Sequence, residues 1–405
     1  MLLTGFFVGS NSPILRILDR ILWNKLIITS SQAIYFSPFI KTSLHSRGRS
    51  ANGILLGRVI NSGRNIFWNP NISMSPHVVV VGPTGSGKTE TLLSIATKMN
   101  SLYSVTVLMI DVKGDIKSRL ERRGYFFNLI DVPRDPLGSL YPYYIDPVGR
   151  AGQVFESIVS SYEVHDIRAQ ASLYKAIKKA YEITPLPTWQ HVMAGLIDGE
   201  NPENVMISRV VDEIAFLDGG PHNIGHYSVR EGVINVISLA GISKEREEML
   251  SYAMNMVFHD MLNYMSSRSI DPKTVRGVLV IDEAWVLSKH GKSSNRVLNL
   301  IKLSRGYGLS VLLATQSFRD FGDSWDRILE NTGVLIVLNT PSKRFWFDAS
   351  NFLKISREAI EDLMIILGKG DAIIRVLPDP RPIPISLEND VEEPREGEKT
   401  ISRDL

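Results

Sequence analysis

The stretch Val78-Val-Val-Val-Gly-Pro-Thr-Gly-Ser-Gly-Lys88-Thr89 decides the fold. Four consecutive valines with no polar alternation read as a strand buried on both faces, as the inner strands of a parallel sheet are. Glycines at 82, 85 and 87 let the backbone turn tightly around an anion, so that its amides point inward. In this reading Gly82, Pro83, Thr84, Gly85, Ser86 and Gly87 form a phosphate cradle and Lys88 reaches the β- and γ-phosphates. The Thr89 hydroxyl ligates Mg²⁺. Glu90, in the first turn of the following helix, completes the set of nucleotide-binding residues, and the positive end of that helix faces the nucleotide.

A loop of this kind needs an acidic partner from a second strand, and Gly277-Val-Leu-Val-Ile-Asp282-Glu283 supplies one. An apolar strand that ends in two acids is common by chance. Beside a phosphate loop it reads as the other half of the nucleotide site. Asp282 then holds Mg²⁺ through its water shell, and Glu283 orients or deprotonates the water that attacks the γ-phosphate. Further along, Ser310 to Ala314 reads as a strand that ends in Thr315-Gln316-Ser317, which places Gln316 beside the other strand ends. The strand from Val105 ends in Asp111-Val-Lys-Gly-Asp115. Its acids are either groups standing behind the nucleotide or ordinary turn formers.

Bulk properties narrow the remaining choices. A chain of 405 residues has room for two or three domains with proper cores. It contains no cysteine, which excludes disulfides, thiolate metal sites and thiol catalysis. The eight histidines are scattered without ligand spacing, so a metal other than Mg²⁺ finds no support. Net charge is only +2, but from Arg20 to Thr89 there is no acidic residue among eight basic ones. That run suits nucleic-acid phosphates, an anionic membrane or a solvated basic face. No segment has the roughly 20 apolar residues of a membrane-spanning helix, and the start of the chain lacks the features of a signal peptide.

The organisation expected is a small, mostly β module over 1–71, a first motor part over 72–150, a helical insertion over 151–220 and a second motor part over 221–377. An extended, disordered or partner-bound tail over 378–405 completes it. The insertion shows helical spacing at Leu173, Ile177, Ala180 and Tyr181. A long helix near 244–267 carries Met249, Met256, Met261 and Met265 at core spacing.

Gly82 to Thr89, Ile281-Asp-Glu-Ala-Trp285, Leu303-Ser-Arg-Gly-Tyr-Gly-Leu309 and Ala314-Thr-Gln-Ser317, in that order, resemble the HerA and FtsK superfamily of ring ATPases. The helical insertion is similar to that of the branch containing conjugation (type IV secretion) ATPases and archaeal DNA-import motors. The resemblance implies an α/β fold of the P-loop NTPase, RecA/FtsK-like kind, with a parallel sheet flanked by helices. It also implies ATP and Mg²⁺, a homo-hexamer with nucleotide at each subunit boundary, and double-stranded DNA in the pore. Lys88 and Thr89 then match the first nucleotide motif, Asp282 and Glu283 the second, Gln316 the γ-phosphate sensor and Arg305 an arginine finger. Read without the resemblance, Arg305 is a helix-dipole partner. A cytoplasmic location, peripheral at the inner face of the membrane on a membrane-embedded transfer complex, follows from the same likeness.

The leading expectation is therefore an ATP-driven DNA translocase in conjugation, import or export. The alternative is an ATPase that energises a membrane secretion or pilus machine and moves protein. A small-molecule kinase fits poorly, because its nucleophile is a substrate and Glu283 would have no task. No Leu-Ser-Gly-Gly run precedes Asp282, which argues against an ABC subunit.

Overall fold

The computed structural model describes residues 53–197, 202–243, 245–268, 274–287 and 294–388. Expectations for 1–52 and 389–405 lie outside these residues. The parallel strands of the motor are β3 (Val78–Val81), β4 (Thr106–Asp111), β5 (Phe127–Asp131), β6 (Ile234–Ser238), β7 (Gly277–Ile281), β8 (Leu309–Thr315) and β9 (Val334–Leu338). They lie side by side in the order β9-β3-β8-β7-β4-β6-β5. Every residue of β3, β4, β6, β7, β8 and β9 is buried. This double burial explains why they read as unbroken apolar runs. Only β5, at the edge, is half-buried.

Antiparallel strands extend the other side of the sheet: β1 (Ile54–Val59), β2 (Asn65–Trp68), β10 (Asp371–Val376) and β11 (Asp379–Leu387). Beyond β9 the order runs β10, β11, β1, β2, which completes an 11-stranded sheet. Two expectations change here. Residues 54–68 belong to the motor's own sheet instead of a separate module, and residues 379–387 are a paired strand instead of a free tail.

The prolines of β11 explain the second difference. Proline lacks the amide hydrogen that a ladder needs, so Pro380, Pro382 and Pro384 argue against an inner strand. The Pro384 carbonyl accepts from Ile60 N, which places the polar groups of 384 on the β1 side, and the β10–β11 register shifts across the stretch that holds Pro380 and Pro382. There β1 pairs only with Ile385, Ser386 and Leu387. The missing donor of Pro384 therefore falls just past the paired register of β1, where only its carbonyl is bonded, and those of Pro380 and Pro382 fall in the irregular stretch.

Helices cover the sheet. Following the phosphate loop is α1 (Lys88–Tyr103), and α2 (Ile116–Arg122) follows β4. The insertion consists of α3 (Pro147–Ser161), α4 (Ile167–Ile183), α5 (Trp189–Ile197) and α6 (Pro202–Leu217). Asp146 and Asp166 start α3 and α4 by accepting two backbone amides each. The second half adds α7 (Glu247–Ser266), α8 (Ser294–Gly306), α9 (Trp325–Glu330), α10 (Lys343–Leu353) and α11 (Arg357–Ile366). The methionines of α7 are buried, as their spacing predicts.

A polar seam fastens the insertion to the motor. Arg150 of α3 is fully buried and pairs with Asp260 of α7, while its remaining donors reach the carbonyls of Gly138 and Ser139. Gln153 and Asn263 exchange amide hydrogen bonds at 2.9 and 3.0 Å. Nearby, Asp218 accepts from Ser139 N at 3.1 Å and from Trp189 Nε1 at 2.6 Å, tying the loop after β5 to α5 and the end of α6. Among the described residues no helix is long and apolar enough to cross a membrane.

Candidate active site

The carboxyl ends of β3, β4, β7 and β8 meet at one edge of the sheet, where parallel strands leave a crevice. Gly82 leads out of β3 with its amide bonded to the Thr315 carbonyl at 3.1 Å. A Cβ there would stand 2.5 Å from Ser86 Oγ and 3.0 Å from Leu338 Cβ, so glycine is required for the loop to fold back. Gly87 caps α1 with φ +100°, a left-handed conformation that suits glycine, and offers no side chain to the first-turn amides. Those amides are left for a ligand, as a phosphate at a helix N-terminus requires.

Lys88 is buried, and its Nζ donates to the Pro83 carbonyl at 3.0 Å. Burial lowers its pKa, while Glu283 and Asp282 oppose that effect by stabilising the cation. Thr89 Oγ1 donates to Asp282 Oδ2 at 2.7 Å, bringing together two residues 193 positions apart. Asp282 and Glu283 are both buried at the end of β7. Burial raises the Asp282 pKa, against the hydrogen bond from Thr89 and the charge of Lys113.

Gln316 links the halves of the site. Its Oε1 accepts from Thr84 Oγ1 at 3.3 Å, and its Nε2 donates to Glu283 Oε2 at 3.4 Å. The turn that carries it is held by Asp320, which accepts from Thr315 Oγ1 and from Ser317 N. Trp285 Nε1 also donates to Glu283 Oε2, so one oxygen of this carboxylate is fixed from two sides.

Lys113 is the residue that sequence reasoning missed. Its Nζ pairs with Glu283 Oε1 and stands 3.8 Å from Asp282 Oδ2. Burial works against its charge, yet the hydrogen bond to Glu283 and the field of Asp282 raise its pKa overall. Its signal in the sequence is the run Asp111-Val-Lys-Gly-Asp115, where a lysine stands between two acids at a strand end. Asp111 instead accepts from the amides of Lys113, Gly114 and Ile116, and so builds the turn that presents Lys113. Asp115 pairs with Arg119 at 2.6 Å. Glu90 binds Arg119 and Arg123 and so braces α1 against α2.

Arg305 is not brought to this chain's own crevice. It lies exposed in the last turn of α8, near His77, which precedes β3 at the opposite edge of the sheet. Burial, with the Arg305 charge as the second cause, holds the His77 pKa down at about 3. The His77 ring is thus a neutral spacer, its Nδ1 accepting from Val311 N at 3.0 Å.

The residues present fit Mg²⁺. Asp282 Oδ1 is buried with no hydrogen-bond partner, and Oδ2 touches the Thr89 hydroxyl, so the pair offers an oxygen ligand and a free acceptor for a coordinated water.

Residues 54–257 match the family described as "Helicase HerA, central domain". The DNA import protein CedB of Sulfolobus acidocaldarius is 34% identical over 370 residues, which covers 89% of this chain. The chain spans 60% of that relative's length. Among solved structures, VirB4 of Thermoanaerobacter pseudethanolicus superposes with a TM-score of 0.68 at 16% identity, covering 84% of this chain and 97% of that one. The plasmid coupling protein TrwB in complex with ADP and Mg²⁺ gives 0.61 at 16% identity, covering 85% and 91%. These two likenesses establish the shared fold.

Proposed function

The chain belongs to the HerA helicase central-domain family, and we propose that it is an ATP-hydrolysing motor that moves double-stranded DNA through a homo-hexameric ring. The observation that carries the reading is the contact of Thr89 with Asp282, with Glu283 beside it held to Gln316. Two distant sequence motifs thereby become one site. The DNA assignment draws on the kinship with a DNA import protein.

ATP enters with its phosphates on the loop amides and Lys88. Mg²⁺, when bound through Thr89 and Asp282, supplies positive charge that offsets charge building on the transferring phosphoryl group. Glu283 accepts a proton from the attacking water, which Gln316 helps to orient through its hydrogen bond to that carboxylate. Thr84 joins Gln316 to the phosphate loop, so loss of the γ-phosphate is felt at the end of β8. Arg305 completes the site of the neighbouring copy, because it lies at the edge remote from its own. Hydrolysis accordingly requires assembly, and subunit movement follows from it. DNA is held mostly through its phosphates, without sequence preference. The ring works on the cytoplasmic side, at the inner face of the membrane.

The test is steady-state ATP hydrolysis by the full chain, with and without long duplex DNA, at low and moderate salt. DNA should stimulate hydrolysis, and salt should abolish the stimulation. Arg305→Ala should cut the rate by about 10³-fold or more while nucleotide binding persists. Robust hydrolysis indifferent to DNA would overturn the DNA assignment and leave a motor for protein cargo.

A further inference from the structure

Glu283 is gripped from both flanks of its strand, because β7 lies between β8 and β4 in the sheet. From the end of β8, Gln316 Nε2 donates to Oε2, and Trp285 Nε1 donates to the same oxygen. From the turn after β4, the Lys113 ammonium pairs with Oε1. A buried carboxylate with two donors on one oxygen and a cation on the other has little left to offer a water.

The two grips differ in kind. Gln316 is a short side chain at the end of a fully buried strand, and Thr84 ties it to the phosphate loop. Lys113 stands on a turn whose backbone is fixed by Asp111, through the amides of Lys113, Gly114 and Ile116, while its own side chain is long and free to swing. That side chain keeps 35% exposure against 5% for Glu283. Its ammonium stands 3.8 Å from Asp282 Oδ2, and its charge is felt at Lys88. The same turn is joined to the helix behind the phosphate loop: Asp115 pairs with Arg119 at 2.6 Å, and Arg119 binds Glu90, the neighbour of Thr89.

We propose that Lys113 is a positioning residue that restrains Glu283, so that each turnover must break their pair before Oε1 can take a proton from water. Phosphates on the loop draw the ammonium away, since a triphosphate carries more charge than one carboxylate and a lysine stem is flexible enough to follow it. The Gln316 grip stays, and keeps the released carboxylate aimed. The restraint thus slows hydrolysis without touching nucleotide affinity. The inference rests on the reading of Glu283 as the proton acceptor, and the experiment separates the two.

The experiment is steady-state ATP hydrolysis by the full chain without nucleic acid, with Lys113→Met and Lys113→Arg beside the unaltered protein. Methionine keeps most of the stem and removes the cation. Lys113→Met should raise kcat about tenfold and leave KM and ADP affinity within about twofold, because the restraint acts on the base and not on the nucleotide. Lys113→Arg should return the rate to its low value by re-forming the pair. Retained ADP affinity shows that both variants are folded. Trp285 gives a second readout, since its indole shares the carboxylate. Adenylyl-imidodiphosphate should change the Trp285 emission, taken as the part that Trp285→Phe removes, and the change should vanish in Lys113→Met. A kcat that falls or stays level in Lys113→Met, with Glu283→Gln inactive, would overturn this proposal alone. So would an emission change that persists undiminished in Lys113→Met. Hydrolysis surviving in Glu283→Gln would overturn the reading of Glu283 and this proposal with it.

Discussion

The carboxyl end of β7 and the seam between α3 and α7 each bury a carboxylate, Asp282 at 5% exposure and Asp260 at 3%. Burial raises the pKa of both. Their partners differ. Asp260 is saturated from within, with Oδ1 on the Arg150 guanidinium and Oδ2 accepting from the Tyr227 hydroxyl at 2.9 Å. Asp282 has one oxygen on Thr89 and the other on nothing. The carboxylate of the seam is completed by the fold, and the one assigned to chemistry in the proposed function is left short of a partner. The desolvation cost is met in the first region by protein groups, and in the second, in the function proposed above, by a ligand.

The contrast can be tested from both sides. Glu283→Gln removes the charge beside Asp282 while keeping its shape, and should cut ATP hydrolysis by about 10²- to 10⁴-fold, measured as phosphate release. Thermal stability should hardly change and ATP should still bind, so an ATP-loaded assembly should accumulate. A large fall in stability would show that this edge, too, is built for support.

Asp260→Ala should do the reverse. It strands Arg150, which has 0% exposure, without its counter-charge, and should cost about 3–5 kcal/mol in denaturant unfolding. Replacing the pair together, Arg150→Met with Asp260→Leu, should recover most of that loss, because no lone charge remains buried. Failure of the double change to recover stability would mean that the seam depends on the ion pair itself.

A smaller effect concerns Asp218, in the same support region, whose pKa burial pushes up to about 6 from a usual value of 3.8. The folded chain therefore holds this proton more tightly than the unfolded one. Its contribution is fully present below the unfolded value and is lost as pH rises through about 6. The difference of roughly two units amounts to at most about 3 kcal/mol. Unfolding followed between pH 4 and 7 should show the docking of α5 weakening as pH rises, and Asp218→Asn should flatten that slope. An unchanged slope in the variant would assign it to other groups.

How much of this was legible depended on distance along the chain. Val78 to Thr89 was readable because strand, turn and helix start are adjacent, and each residue type has a local reason to be there. Gln316 could be placed because its strand ends one residue before it. The reading of Arg305 as an arginine finger comes from the family resemblance alone, since nothing local distinguishes such an arginine from one at a helix end. Lys113 was hidden because a lysine among turn residues looks solvated until the fold carries β7 alongside β4. Arg150 and Asp260 are 110 residues apart and carry no shared pattern. In β11 the prolines fall where the pairing ends or shifts register, and where that happens depends on how far β1 extends and where β10 bulges.

The join between β1 and β11 also has a mechanical consequence. Gly57 lies opposite Leu387 and Glu388 N donates to the Leu56 carbonyl, so the chain enters β1 and leaves β11 at one end of the shared ladder. Tension applied between residues 54 and 388 would peel these bonds apart one at a time, as a zipper opens, instead of loading them together. The clasp would let go under modest force while the buried parallel strands stayed closed, so a pull at this corner would detach the margin of the sheet and spare the engine.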